Sequence, residues 1–494
     1  MRTPFHCRLF LALIGLPLLV AGCAVGPDFS RPSAPAVKQY MRTPLVATVS
    51  TPGVAGGAAQ RVVKGADVDP AWWRLFHSSG LDALEKQALA HSPTLAAARD
   101  TLRAAQQQTL AGRGAYVPSV GAGVSAMRTQ DPSAALAPVP SNNAYLYNLF
   151  TPQLSIAYAP DVFGLARRQV ESLAAQQQAA RFAAIAAYNT LTTQVAVTAI
   201  EAASLDAQIK AAQKMVDIDR RVLKMARYRL EAGYASGMDV AAQQAQLAQA
   251  RAALPPLRKQ LAAARNRLAV LCGQWPGQWS TATLALSELK LPRQLPLSLP
   301  SQLVAQRPDV RQAQADWHAA SAAVGVAEAE RLPQIQLTAN AGSTALAIAD
   351  VFTSGTGFWN LAAGITAPLF DGGTLRHQAH AARAELAAAA AQYRGTVLQA
   401  FEDVADTLTA IDQDARALQS AVQADKASRI TLASVRRRFR DGYASGLDLA
   451  QAEQGREQAR MTLIQARERR YTDTAALFQA LGGGWRHRQS PAQP

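Results

Sequence analysis

The chain reads as an internally duplicated, mainly α-helical protein carrying pairs of short membrane-type β-strands, and three observations predict this. A five-residue turn occurs twice: Gly233-Tyr234-Ala235-Ser236-Gly237 returns 209 positions later as Gly442-Tyr443-Ala444-Ser445-Gly446. Extended through Ala241 and Ala450, the match keeps seven identities in nine, with Asp239 matching Asp448. Each turn follows a proline-free run of 68 residues, 165–232 and 374–441, rich in Ala, Gln, Leu and Arg. These are good helix formers, and such a run makes a rod of roughly 100 Å. Ahead of each run lie two segments in which apolar and small polar residues alternate with period two, as in outer-membrane β-structure.

Export is written at the start of the chain. Met1–Val20 carries a basic n-region (Arg2, Arg8) and an apolar run from Leu9 to Val20, the pattern of a secretory signal. It ends in Leu19-Val20-Ala21-Gly22-Cys23, small residues ahead of a cysteine, similar to a bacterial lipobox. A signal peptide over 1–22 and an acylated Cys23 are expected; a plain signal with an incidental cysteine is the alternative. The net charge of +15 suits nucleic acid or anionic membranes, but export argues against nucleic acid. No later stretch has the roughly 18 apolar residues a transmembrane helix needs. Cys7 leaves with the signal and Cys23 carries lipid, so Cys272 stands alone, no intrachain disulfide is expected, and packing must supply stability. Flanked by apolar residues at a helix end, Cys272 is expected to be buried.

In chain order, 23–70 is an acylated, extended arm rich in Pro, Gly and Ala, without a core of its own. The first repeat spans 71–273: Trp72-Trp73, a helix over 81–112, strands near 117–128 and 149–163, the long helix 165–232, the turn, and a return helix 238–272 kinked at Pro255-Pro256. A connector, 274–300, leads to the second repeat, 301–483, with a helix near 301–331, two strands, the long helix 374–441, the turn and a return helix 447–481. Pro93 and Pro308 match at an offset of 215, as do Pro118 and Pro333. Residues 484–494 form a polar tail. The repeat sets the architecture.

Four strands do not close a barrel, since the smallest single-chain ones need about eight, and an open edge in lipid strands backbone groups. The strands must therefore close with other copies, and three copies give a twelve-stranded ring. The lengths of helix 81–112 with return helix 447–481, and of helix 301–332 with return helix 238–272, each sum to about one long helix. Stacked end to end, these pairs suit a hollow α-helical cylinder about 100 Å long.

Five motifs in order then carry a resemblance: Cys23-Ala24-Val25-Gly26-Pro27-Asp28-Phe29, Trp72-Trp73, Asp161-Val162-Phe163-Gly164, Arg307-Pro308-Asp309-Val310-Arg311 and Pro368-Leu369-Phe370-Asp371-Gly372-Gly373. From Leu19 to Gly483 the chain resembles the TolC-like outer membrane factors of the OprM/NodT type, which are efflux lipoproteins. The resemblance implies a homotrimer with one twelve-stranded barrel on a long periplasmic α-barrel, in the outer membrane of a Gram-negative bacterium. It implies an exit duct for small toxic compounds, working with a periplasmic adaptor and an inner-membrane transporter, of the RND type by expectation. A protein-secretion duct and a pore-free periplasmic scaffold are the alternatives.

By the same resemblance, the tips Gly233–Met238 and Gly442–Leu447 form the entrance and dock the adaptor. Asp448 stands where related ducts carry an acidic ring, with Asp239 its counterpart; Gln451 replaces a second Asp. Both aspartates also suit the first turn of a helix. Arg436, Arg437, Arg438 and Arg440 end a helix favourably, or else reach acidic residues of a neighbour or adaptor. His377 and His380 lack a third ligand nearby, so no metal is expected. Trp359, Phe358, Tyr145 and Tyr147 sit near strand ends, where aromatic anchoring suits them. No catalytic or nucleotide-binding constellation appears, so neither enzyme activity nor a cofactor beyond the lipid is expected.

Overall fold

A computed structural model describes residues 24–130, 132, 146–279 and 284–485. Cys23, the signal segment, Tyr145 and residues 486–494 of the tail lie outside the described residues. The helices are α1 (Ser79–His91), α2 (Pro93–Gly112), α3 (Leu165–Glu231), α4 (Gly237–Ala252), α5 (Leu254–Leu271), α6 (Pro300–Gln306), α7 (Pro308–Ala329), α8 (Thr374–Arg440) and α9 (Gly446–Ala480). The strands are β1 (Arg61–Lys64), β2 (Ser119–Gln130), β3 (Leu146–Tyr158), β4 (Gln294–Leu297), β5 (Gln334–Ser343) and β6 (Gly357–Thr366). Both long helices have 67 residues. The chain divides into two compact units, each drawing on both repeats: Met1–Arg31, Leu102–Ala179 and Ala313–Tyr393 form one, the remainder the other.

The first unit holds a four-stranded antiparallel sheet in the order β2-β3-β5-β6. Its register aligns Val120 with Ile156, Ala122 with Leu154, Ile156 with Ala339 and Ala339 with Leu361. Cross-strand partners share a face. One face is therefore apolar across all four strands (Val120, Val124, Leu154, Leu337, Leu361, Ile365), with every one of these side chains exposed, and Arg128 and Asn148 stand on it towards the end of the β2-β3 pair. The other face carries Ser119, Ser125, Gln153, Ser155, Thr338, Asn340 and Asn360. Strand β3 ends five residues short of the expected boundary, because Asp161 turns the chain into α3. Its carboxylate accepts from the Ala166 and Arg167 N–H groups at 3.0 and 2.9 Å. Asp371 does the same at the start of α8, accepting from Gly373 and Leu375 at 2.9 and 2.7 Å.

The second unit is built on Trp72, Phe76, Leu81, Ile411, Leu418, Tyr471 and Phe478, all under 2% exposed. Trp72 tilts onto Phe478 with ring centroids 5.2 Å apart. Both short helices expected from the sequence are broken. Ser92 and Arg307 are extended (ψ 119° and 123°), because proline disfavours a helical conformation at the preceding residue. Pro93 and Pro308 then open new helices, where no backbone N–H is missed. The kink expected at Pro255-Pro256 is an interruption at Ala253.

The end-to-end pairing inferred from helix lengths is overturned, since each return helix ends on the break of its own repeat. A Cβ on Gly273 would stand 2.2 Å from the His91 carbonyl oxygen, and one on Gly482 2.7 Å from that of Gln306. The arm is more integrated than composition suggests. In this unit β1 pairs in parallel with β4 of the connector, and buried Gln60 donates to Thr474 at 3.0 Å. The tail, too, starts packed: Trp485 stands edge-on to Phe182 at 5.7 Å and its Nε1 donates to the Gln306 carbonyl.

Arg307 ties this unit together. Its guanidinium donates to Asp309 at 2.6 Å, Asp403 at 2.8 Å and the Ala480 carbonyl at 3.1 Å. Arg307→Ala leaves Asp309, Asp403 and the Ala480 carbonyl without this donor and should cost about 1–3 kcal/mol, measured by denaturant unfolding. Cys272 is fully buried, as expected, and burial pushes its thiol up to about 11. Nearby Glu85 is also fully buried, both its oxygens lacking a partner. Burial first, then the charge of Asp82, raises its carboxyl well above the usual range. An acid whose pKa is raised by folding stabilises fully below its unfolded value and loses that contribution as pH climbs towards the folded one. Relative to Glu85→Gln, the wild type should weaken from about pH 4.5 upward by up to about 1.4 kcal/mol per pH unit. Parallel unfolding curves across pH 4–8 check this.

Candidate functional site

The two hairpin tips are the same device built twice. At the end of α3, the Gly233 N–H donates to the Leu230 carbonyl and the Tyr234 N–H to that of Arg229, at 3.0 and 2.7 Å. At the end of α8, Gly442 donates to Phe439 and Tyr443 to Arg438, at 3.2 and 2.7 Å. This is a Schellman cap, whose αL residue is normally glycine; here Gly233 and Gly442 have φ of 77° and 81°. An arginine adds a third closure. Arg229 donates to the Tyr234 carbonyl at 3.4 Å and Arg438 to that of Tyr443 at 3.3 Å.

The next helix starts in a capping box. Ser236 Oγ accepts from the Asp239 N–H at 3.2 Å, and the Asp239 carboxylate accepts from the Ser236 N–H at 2.8 Å. Ser445 and Asp448 repeat both bonds at 3.2 and 2.8 Å. The repeated residues thus divide the labour, in that glycine turns the chain, serine caps and aspartate closes the box. Ala235 and Ala444 link these parts. Gly237 and Gly446 open the new helices, and Met225 Sδ lies 2.7 Å from where a Cβ on Gly446 would stand. Tyr234, Met238 and Tyr443 project outward, each 77–79% exposed.

Both aspartates are fully exposed, and their carboxyls are held below the ordinary value, first by the serine backbone N–H. A depressed pKa contributes above the unfolded value and is lost as pH falls through the folded one, so the boxes persist at neutral pH. Gln451, one turn further, is exposed.

Behind the second tip, Glu453 of α9 receives Arg436 of α8 at 3.1 Å and Arg221 of α3. They line a cleft of about 430 Å³ with Lys214, Arg220 and Arg456. Arg436 and Arg438 thus bond within the chain, while Arg437 and Arg440 are exposed. The cross-helix ties of Glu453, of Asp425 to Arg456 and of Asp219 to Gln454 escaped sequence reading. These pairs lie between 17 and 235 positions apart, on different helices, and nothing local in the sequence marks the partner.

The His377 and His380 rings stand 6.2 Å apart on an exposed face, and no cluster of three metal-binding side chains occurs among the described residues. Trp359 is 79% exposed on the apolar face of the sheet, whereas Tyr147 and Phe358 are half-buried. Leu369 and Phe370 of the Pro368–Gly373 motif, between β6 and α8, are 97% and 92% exposed, which the motif alone does not reveal.

Removing the cap tests the tip geometry. Ser236→Ala or Ser445→Ala should weaken the helix start by about 0.5–2 kcal/mol. Amide exchange at Asp239 or Asp448 should then rise roughly 2- to 30-fold, with exchange in the core of α3 unchanged.

Comparison with known proteins bears on this arrangement directly. The outer membrane efflux protein family matches residues 84–274 and 299–483, one block per repeat. The pyoverdine export outer membrane protein OpmQ of Pseudomonas putida is 31% identical over 424 residues, covering 84% of this chain and 88% of OpmQ. The toluene efflux pump outer membrane protein TtgC, also of Pseudomonas putida, is 27% identical over 480 residues, covering 96% of this chain and 95% of TtgC. The solved outer-membrane channel OprN superposes with a TM-score of 0.79 at 26% identity, covering 94% of this chain and all of OprN. Two matched blocks, a membrane sheet and paired helical hairpins lead to one conclusion: the chain belongs to the outer membrane efflux protein family and is an outer-membrane component of an efflux system.

Proposed function

We propose that the chain acts as a homotrimeric exit duct. Three copies of the β2-β3-β5-β6 sheet close a twelve-stranded barrel, and Cys23 carries a lipid anchor in the same membrane. The observation that carries this reading is the sheet: among the described residues its outer edges, on β2 and β6, have no partner, while one face carries apolar residues from all four strands. Each unpaired backbone group left in hydrocarbon costs several kcal/mol, and pairing β2 of one copy with β6 of the next removes the cost.

A pore-free scaffold has no use for such a sheet. The protein-secretion alternative has no feature of its own in its favour. The exposed Tyr234, Met238 and Tyr443 suit docking of a periplasmic adaptor, coupled to an inner-membrane transporter of the RND type. Asp239, Asp448 and Gln451 then lie at the entrance. The duct is passive and not an enzyme, its driving force coming from the transporter. Cargo is small toxic compounds. OpmQ is named for pyoverdine and TtgC for toluene, so the shared scaffold leaves the choice of compound to the partners.

Mass measurement in detergent and conductance in planar bilayers test this together. Wild type is compared with Asp239→Asn and Asp448→Asn, which remove charge but keep an acceptor for the capping box. A three-copy particle with a low-conductance wild type that opens on substitution supports duct and acidic entrance. An open, indifferent wild type retains the duct and discards the gate. A single copy without a pore overturns the duct.

A further inference from the structure

The motif Val25-Gly26-Pro27-Asp28-Phe29 plays no part in the duct or its entrance, yet the structure gives every one of its residues a partner. The Val25 N–H donates to the Phe163 carbonyl at 3.1 Å, at the turn between β3 and α3. Arg168, in the first turn of α3, has a side chain only 5% exposed. Its Nε donates to the Val25 carbonyl at 3.0 Å, and its Nη2 donates to the Gly26 carbonyl at 3.3 Å and to the Asp28 carboxylate at 2.7 Å. Its Nη1 reaches Glu171 at 2.8 Å, and the other oxygen of Glu171 bonds His318 Nε2 of α7 at 2.8 Å. His318 stacks on Phe29 with centroids 4.5 Å apart, and Trp317 meets the same ring edge-on at 5.5 Å. The circuit returns to the arm.

Two close approaches seal it. Gly26 has φ +94°, and a Cβ there would lie 2.4 Å from Gly325 Cα; a Cβ on Gly164 would lie 2.7 Å from Ala24. Ser321 also donates to the Pro27 carbonyl at 3.4 Å.

We infer that Arg168 is the positioning residue of the lipid anchor: with Gly26, Asp28 and Phe29 it clasps the arm against α3 and α7. The lipid proposed on Cys23 is then joined, through Ala24, to an arm held beside the end of β3. This rests on the lipidation of Cys23 proposed above. A buried guanidinium that reads two carbonyls and a carboxylate uses the planar fork of arginine, which lysine lacks. Asp28, 94% exposed at its side chain, completes the clasp without being enclosed by it.

The test is hydrogen exchange on the full chain, read by mass spectrometry over residues 24–30, together with the mass of the N-terminal peptide. Arg168→Lys should speed arm exchange about tenfold or more, as expected for lost hydrogen bonds to a charged donor, leaving β3 and β5 unchanged. Gly26→Ala should do the same without altering any charge. Unchanged arm exchange in both variants overturns the clasp, and so does a rise spread evenly through sheet and helices. An intact clasp on an unmodified Cys23 overturns the anchor role and the lipid reading while leaving the docking of the arm; an acylated Cys23 with a freely exchanging wild-type arm sinks the clasp alone.

Discussion

A backbone N–H or C=O inside hydrocarbon has no water to turn to, and the rest of this structure follows from that constraint. Among the described residues, a sheet of four strands with one largely apolar face meets the requirement along its three inner seams and fails it at β2 and β6. Closure then has to come from outside the chain. The exposure of Val120 and Val124 at one edge and of Leu361 and Ile365 at the other is what a lipid-facing surface requires, whereas in water it would be an aggregation hazard. The duplication answers the same need, since a hairpin of strands followed by a long helical hairpin is a unit that gains by being repeated.

Away from the membrane the chain relies on two kinds of tie. Local ones close helix ends: Asp161 and Asp371 start the long helices, and the capping boxes start the return helices. Long-range ones are buried arginines that collect carbonyls. Arg470, 1% exposed, donates to the carbonyls of Ile411 at 3.2 Å and Ala58 at 3.1 Å. Burial pulls its pKa down to about 10, which still leaves it charged at neutral pH. Such groups are costly to bury and costlier to strand, so they specify which segments meet. With Cys272 a buried free thiol, packing and these ties hold the described residues together.

What was legible in the sequence was whatever is decided locally. Gly233 through Gly237 repeat because their hydrogen bonds stay within a few residues, and strand alternation shows because side-chain direction has period two. Pro93 and Pro308 correspond by their offset, but helix-forming residues on both sides mask their effect on Ser92 and Arg307, so two interrupted helices look continuous in the sequence. Helix lengths misassigned the end-to-end partners because length carries no contact information; the carbonyls of His91 and Gln306 decide them. Strand β1 was missed because four residues in a Gly- and Pro-rich arm carry little pattern, and its partner β4 lies in the connector. The aspartates of the tips were legible as first-turn residues, and the structure specifies that role down to the accepting oxygen. Motifs such as Arg307-Pro308-Asp309 were visible as words; their meaning lay in residues up to 173 positions away.

Because each tip is closed by its own caps, its outward side chains are spared from folding. Tyr234, Met238 and Tyr443 contribute little that the turn needs, while Gly233, Ser236 and Asp239 cannot be exchanged without loosening it. Presentation and architecture are thereby uncoupled within a few residues. A substitution at Tyr234, Met238 or Tyr443 changes what the tip presents to its surroundings, with the turn beneath standing still.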